Sequence, residues 1–281
     1  MMRRLLRLAL LAAGAAVLFV LVRTMGVATI AGLLRQVGWA FAVVSALYFM
    51  HVCVRAGALW RLTPTLRYRD VLRIRLYGEA VEMLTFTGPF LAEPAKGMML
   101  TRHGISRVDA IKGVGLEYAL YTLTSAWLAV FALSLLVSTG ALPPALHTPV
   151  TYVIGGMIAV TIGAAIAALA GYVPLTASRG AQVIAIELVG QALLASEIFV
   201  TVRVLGFAFS SLQSVLVEGA VKFISVAFFF VPGQIGAQES VYTLLFQSIG
   251  LPGAIGLTMA LVRRVRALIV AGIALAATYG I

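Results

Sequence analysis

The sequence predicts an all-α integral membrane protein: a polytopic helical bundle of about six spans plus two oppositely oriented re-entrant helical hairpins, an inverted-repeat-like plan. Three observations carry this. Hydrophobic residues make up 62% of the chain and charged residues 11%, against about 25% charged in a soluble domain. Apolar runs recur from end to end and the mean hydropathy is +1.04, so residues 1–281 read as a single transmembrane domain. Two of the runs are interrupted by glycine and proline and carry carboxylates at the interruption.

The net charge of +11 excludes little by itself. The basic residues fall mostly between apolar runs, where they orient the chain and meet anionic head groups, so nucleic acid is not an expected partner. Cys53 is the only cysteine, which rules out an intrachain disulfide and a cysteine metal site.

In chain order, the start carries Arg3, Arg4 and Arg7 before an apolar run. A signal peptide has the same layout, but the run is long for one and no cleavage site is clear. A retained first helix over Leu5–Val22 is expected, with the N-terminus in the cytoplasm and the protein in the inner (plasma) membrane. Arg23–Gly38 suits a helix lying in the interface. A second span covers Trp39–Leu59. Arg61, Arg67, Arg69, Arg73 and Arg75 follow, a strong cytoplasmic signal.

Leu76–Leu100 is too broken and too charged for an ordinary span. It has Glu79, Glu82, Glu93 and Lys96 around Gly88-Pro89, with Pro94 beyond. Basic flanks on both sides predict a re-entrant hairpin from the cytoplasmic face. Spans three, four and five are expected at Gly113–Val137, Val150–Val173 and Ala181–Leu205. The intervening loop Ser138–Pro149 lacks lysine and arginine, as an outer loop should. Val215–Gly250 is the second broken run, interrupted at Pro232, Gly233 and Gly236 with Glu239 just after. It is expected to enter from the outer face. The last run contains Arg263, Arg264 and Arg266; one span over Gly253–Thr278 and two shorter pieces both fit, and one span is adopted.

Short apolar segments interrupted by Gly and Pro in corresponding halves point to a transporter binding site. Backbone at membrane depth stays irregular only where protein or a water-filled cavity surrounds it. The free amides opening a helix after such a break favour an anion such as phosphate. An ionisable side chain there costs about 2.5–3.5 kcal/mol on insertion scales and needs a partner. Glu93 and Glu239, just after the breaks, are therefore the leading substrate-binding candidates. Glu79 and Glu82 share a helix face, as do Glu93 and Lys96. Glu218 and Lys222 stand four apart and fit a structural salt bridge as well as a ligand contact. Arg263, Arg264 and Arg266 suit a head-group phosphate or a basic interface cluster. Glu117, Glu187, Glu197 and Arg203 are expected to be inter-helix partners, with Glu117 the candidate among them for ligand contact. His51 and Arg55 are expected to form a packed polar contact. No HExxH, paired-cysteine or GxxxxGK[ST] pattern occurs, so no metal, cofactor or nucleotide is expected.

At these residues the chain resembles a flippase-like membrane protein family that includes the transmembrane region of lysylphosphatidylglycerol synthase and the HpnL-like proteins. Its late motif, a Pro-Gly-Gly-x-Gly-x-x-Glu break followed by a Gly-Leu turn and an arginine, is matched by Pro232 to Glu239, Gly250-Leu251, and Arg263 or Arg264. Its earlier Pro, Gly-Glu and basic residue resemble Pro89, Glu93 and Lys96, and Glu117 matches a family glutamate. Gln234, Ala92, Gln238 and Tyr118 depart from the pattern. The resemblance implies movement of a lipid between leaflets. An anionic or aminoacylated phospholipid, a hopanoid and a polyprenyl lipid are the candidate substrates, with the head group held between the hairpins. Two other readings stay open: a membrane-embedded lipid-modifying enzyme, and a non-catalytic partner of a lipid-biosynthesis complex. So does assembly as a homo-oligomer.

Overall fold

The computed structural model describes residues 19–20, 23, 26–84, 89–141, 144–169, 175–227, 234 and 236–278. Among these the chain is all helical, with no strand. The expected first span, Leu5–Val22, lies almost wholly outside them.

Helix α1 (Val27–Val37) occupies the stretch expected at the interface, burying Ile30 and Val37 and exposing Val27 and Leu34. Helix α2 is Ala40–Leu62. Helices α3 (Tyr68–Leu84) and α4 (Pro89–Arg102) pack on each other. Helix α5 (Arg107–Ser138) starts where the Ser106 hydroxyl accepts the Asp109 amide at 3.1 Å, a serine N-cap. Helix α6 is Pro144–Leu169. Helix α7 (Ala177–Val204) is capped likewise by Thr176, at 3.4 Å from the Arg179 amide. Helix α8 (Ser211–Ala227), helix α9 (Ala237–Ser248) and helix α10 (Gly253–Thr278) complete the chain. Three of these, α2, α5 and α7, are long and apolar enough to cross a membrane.

Both broken runs become pairs of short helices, with boundaries that differ from expectation. The first begins at Tyr68 rather than Leu76, because Arg69, Arg73 and Arg75 extend the helix instead of preceding it. Pro89 opens α4, where its missing N–H costs nothing, and Pro94 lies inside α4 without ending it. The second begins at Ser211 rather than Val215 and ends at Ser248. Gly236 has φ +80° and Gln234 φ +49°, so left-handed backbone turns the chain into α9. Gly88, Pro232 and Gly233 lie outside the described residues. The last run is one uninterrupted 26-residue helix.

Helices α2 and α7 run antiparallel along one seam. Arg55 meets Glu187 at 3.3 Å, and His51 meets the Gly190 carbonyl at 2.9 Å. Tyr48 and Leu194 share an apolar cluster further along. The pair α3–α4 starts from the C-terminal end of α2 and the pair α8–α9 from the C-terminal end of α7. The two pairs therefore enter the bundle from opposite ends. Helix α5 packs on α4 and α8, and α10 packs on both α3 and α9. Apolar clusters seal each end: Leu59, Ile74, Leu100 and Val114 at one, Val202, Val217, Phe246 and Met259 towards the other. Between them lies the charge.

Candidate functional site

Seven buried or half-buried cations and seven carboxylates from eight helices form two ionic clusters at two depths. Glu187 and Glu197, one in each, are ten residues apart on α7, about 15 Å at 1.5 Å per residue.

The first cluster centres on Glu117 of α5, which is wholly buried. Its Oε1 accepts Arg55 Nη2 of α2 at 2.6 Å and Arg75 Nη1 of α3 at 3.3 Å. Its Oε2 accepts Lys96 Nζ of α4 at 3.1 Å. Lys96 also reaches Glu93 at 2.7 Å, Arg75 reaches Glu79 at 2.6 Å, and Arg55 faces Glu187. Three helices thus bring cations to one carboxylate on a fourth, each charge costly alone at this depth.

The second cluster centres on α10. Arg263 Nη2 lies 2.7 Å from Glu218 of α8 and 3.3 Å from Glu197 of α7; its Nη1 donates to the Tyr242 hydroxyl of α9 at 2.5 Å. Arg264 pairs with Glu239 of α9 at 2.6 Å. Arg266 grips Glu197 with Nε and with Nη2, the latter at 2.8 Å. Lys222 pairs with Glu218 at 3.3 Å. Arginines at three nearly successive positions of a helix point in different directions, so one helix ties α7, α8 and α9 together.

Two tyrosines join the clusters. The Tyr121 ring of α5 lies 3.5 Å from the Arg55 guanidinium carbon, while its hydroxyl accepts Lys222 Nζ at 2.7 Å. Tyr48 of α2 donates to Glu79 at 2.9 Å, and Arg266 stacks on its ring at 3.6 Å. Each presents a π-face to a cation of one cluster and a hydroxyl to a charged group of the other.

Of the sequence candidates, Glu93, Lys96 and Glu117 come together in the first cluster, and Glu218, Lys222, Glu239, Arg263 and Arg264 in the second. Glu82, half-buried, lies one turn beyond Glu79 and makes none of these ion pairs. Pro89 and Gly236 are the described break residues. Glu117, Glu187 and Glu197 are inter-helix partners as expected. Arg203 is exposed and is not. Arg75, expected in the cytoplasmic basic run, is instead 2% exposed and joins the first cluster, while Arg61, Arg67, Arg69 and Arg73 are exposed. Its spacing of four from Glu79 was the available signal. His51 and Arg55 do not contact each other as a closed pair: His51 turns to Gly190 and Arg55 to the carboxylates. Tyr48, Tyr121 and Tyr242 had no sequence signal.

The position just before α9 is instructive. The Gly236 amide donates to Glu239 Oε2 at 2.8 Å, and Arg264 holds Oε1. The helix N-terminus and an arginine together make an anion site, and the protein's own carboxylate fills it. Arg264 is also the most exposed cation of either cluster, its side chain 27% exposed. Among the described residues no group of three or more His, Cys, Asp or Glu is arranged to hold a metal ion. Two cavities lie on the α2–α7 seam away from the ion pairs. One, about 310 Å³, is lined by Trp60, Arg61 and Arg179; the other, about 370 Å³, is apolar and lined by Cys53, Gly57 and Ile186.

A protein-family model described as "Lysylphosphatidylglycerol synthase TM region" matches residues 4–274. No curated protein and no solved structure matches the chain.

Proposed function

The chain belongs to the lysylphosphatidylglycerol synthase TM region family, a multi-pass membrane family linked to lipid handling, and from that premise we propose that it is a lipid transporter. It moves a phosphate-bearing lipid between leaflets, the head group passing between the two short-helix pairs while the acyl chains stay in the bilayer. The α3–α4 and α8–α9 pairs act as re-entrant hairpins, entering from the cytoplasmic and outer faces of the plasma (inner) membrane. The exposed arginines Arg61, Arg67, Arg69 and Arg73 support that orientation, which puts the N-terminus in the cytoplasm.

The observation that carries the reading is the anion place shared by Gly236, Glu239 and Arg264. A head-group phosphate takes over Arg264 and the α9 N-terminus as Glu239 releases them, so Arg264 keeps an anionic partner throughout the exchange. Arg263 and Lys222, both paired with Glu218, receive the phosphate next. Glu93 and Lys96 do the corresponding work at the other pair, with Glu117 and Glu218 holding the cations in place between visits. Glu82 flanks the inner route.

The test is leaflet exchange of a fluorescent phosphatidylglycerol in liposomes holding the purified protein. Arg264→Gln and Glu239→Gln are expected to slow exchange by about tenfold or more, equivalent to about 1.4 kcal/mol in the barrier. Arg69→Gln, on the surface, leaves the rate within about twofold. Unchanged exchange in both site variants, with normal gel-filtration profiles, rejects the reading. Chemical turnover of the lipid instead of exchange supports a membrane enzyme.

A further inference from the structure

The two clusters are unequal in charge. The first sets Arg55, Arg75 and Lys96 against Glu79, Glu93, Glu117 and Glu187; the second sets Lys222, Arg263, Arg264 and Arg266 against Glu197, Glu218 and Glu239. Among these ion-paired groups one carboxylate is in excess in the first and one cation in the second; Glu82, which joins none of these pairs, stands outside the count.

The surplus carboxylate is Glu187. It is wholly buried, and neither of its oxygens accepts a hydrogen bond among the described residues. Among the described residues its sole ion-pair partner is Arg55 Nε at 3.3 Å, and Arg55 aims Nη2 at Glu117, 0.7 Å closer at 2.6 Å. One turn along the same face of α7, Gln191 Oε1 is also buried and without a donor, its amide nitrogen being given to Ser125 Oγ at 2.8 Å. Two buried side chains one turn apart thus present acceptor oxygens with no hydrogen between them. Buried acceptors left so are costly.

We propose that Glu187 is a proton-carrying site, and that the proton it takes up or releases is coupled to the anion that visits the second cluster. The proton adds to one carboxylate oxygen, making a neutral acid that supplies a donor where there is none, and leaves by the reverse step. No other bond changes. Protonation removes the surplus negative charge of the first cluster as a phosphate removes the surplus positive charge of the second, so loading both sites keeps the interior close to neutral.

The groups facing Glu187 fit a site that exchanges a proton. Helix α2 brings Arg55 and His51, and α5 brings Glu117 and Tyr121. Helix α8 brings Lys222, which touches the same Tyr121 hydroxyl. Arg75 of α3 and Lys96 of α4 stand behind Glu117. From α10, Arg263 and Arg266 lie further along α7, at Leu194 and Glu197. Helix α1 brings only Arg35, which is exposed. Arg55 lies between Glu187 and Tyr121, and Tyr121 touches Lys222 of the second cluster, which gives the coupling a physical route.

The coupling rests on the lipid reading; the proton site does not, and two measurements separate them. A pH jump on full-length protein in lipid nanodiscs, followed by infrared difference spectroscopy, is expected to show a protonated-carboxyl band. Glu187→Gln should abolish it, Glu187→Asp should keep it with a shifted midpoint, and Asp109→Asn, exposed and outside both clusters, should leave it in place. A band that survives Glu187→Gln, or its absence from the wild type, overturns the proton site. In liposomes, a one-unit pH gradient should bias the leaflet ratio of phosphatidylglycerol by up to about tenfold for one proton per lipid, and Glu187→Gln should erase the bias. A bias driven by a sodium gradient in place of the pH gradient overturns the coupling. The infrared result standing in a protein that exchanges no lipid upholds the proton site and discards the lipid reading.

Discussion

Glu117 is the residue on which most of the first cluster depends. It accepts from three cations on three other helices and is fully buried. Replacing it with glutamine leaves Arg55, Arg75 and Lys96 sharing fewer negative charges in a dry environment. Loss of one partner of a buried ion pair typically costs about 3–5 kcal/mol. Glu117→Gln is therefore expected to lower the thermal unfolding midpoint sharply in detergent, by more than Glu93→Gln, whose side chain is 17% exposed and has water as a substitute. Equal midpoints for the two variants contradict Glu117 as the hub. Glu239 has a double character at the same scale: it caps α9 and neutralises Arg264, so its removal is expected to act on folding and on the proposed transport, whereas Arg264→Gln is expected to act chiefly on the latter.

At the level of elements, the second helix pair is held by backbone contact as much as by charge. A Cβ on Gly256 of α10 would lie 2.3 Å from the Tyr242 carbonyl of α9, and one on Gly219 of α8 would lie 2.5 Å from the Leu128 carbonyl of α5. Backbone oxygen cannot step aside as a flexible side chain can. Gly256→Ala and Gly219→Ala are expected to push the helices apart and to cost about 1–3 kcal/mol each. Gly57→Ala, with nothing within 4 Å, is the neutral control. Unfolding curves of the three variants decide the matter; indistinguishable curves remove backbone contact from the account.

The same scale shows what was legible in the sequence. Glycine and proline announced both breaks, since they act on the backbone of their own residue and its neighbours. Spacings of three and four announced the pairs Glu93–Lys96 and Glu218–Lys222, because one helical turn brings those side chains together. Hydropathy announced α2, α5 and α7. Hidden was everything that depends on which helix packs on which. Arg55 meeting Glu117 and Arg263 meeting Glu218 join residues far apart in the chain. Tyr121 looked like one more aromatic in an apolar span. Arg75 was mistaken for a flank because four neighbouring arginines are one.

At the scale of the whole molecule, the ion-paired charges of the interior balance only when both clusters are counted together. Seven cations and seven carboxylates cancel across the two clusters, and Tyr48 and Tyr121 tie the clusters into one network. Helix pairs entering from opposite ends both pack on α10. The central claim is that a lipid phosphate enters this network at Arg264. Cross-linking by a phospholipid with a photoactivatable head group, mapped by mass spectrometry, tests it most directly. The account predicts adducts on α9 and α10 between Gly236 and Arg264 that vanish in Arg264→Gln. Adducts confined to the outer faces of the bundle, or a map unchanged by that substitution, would contradict it.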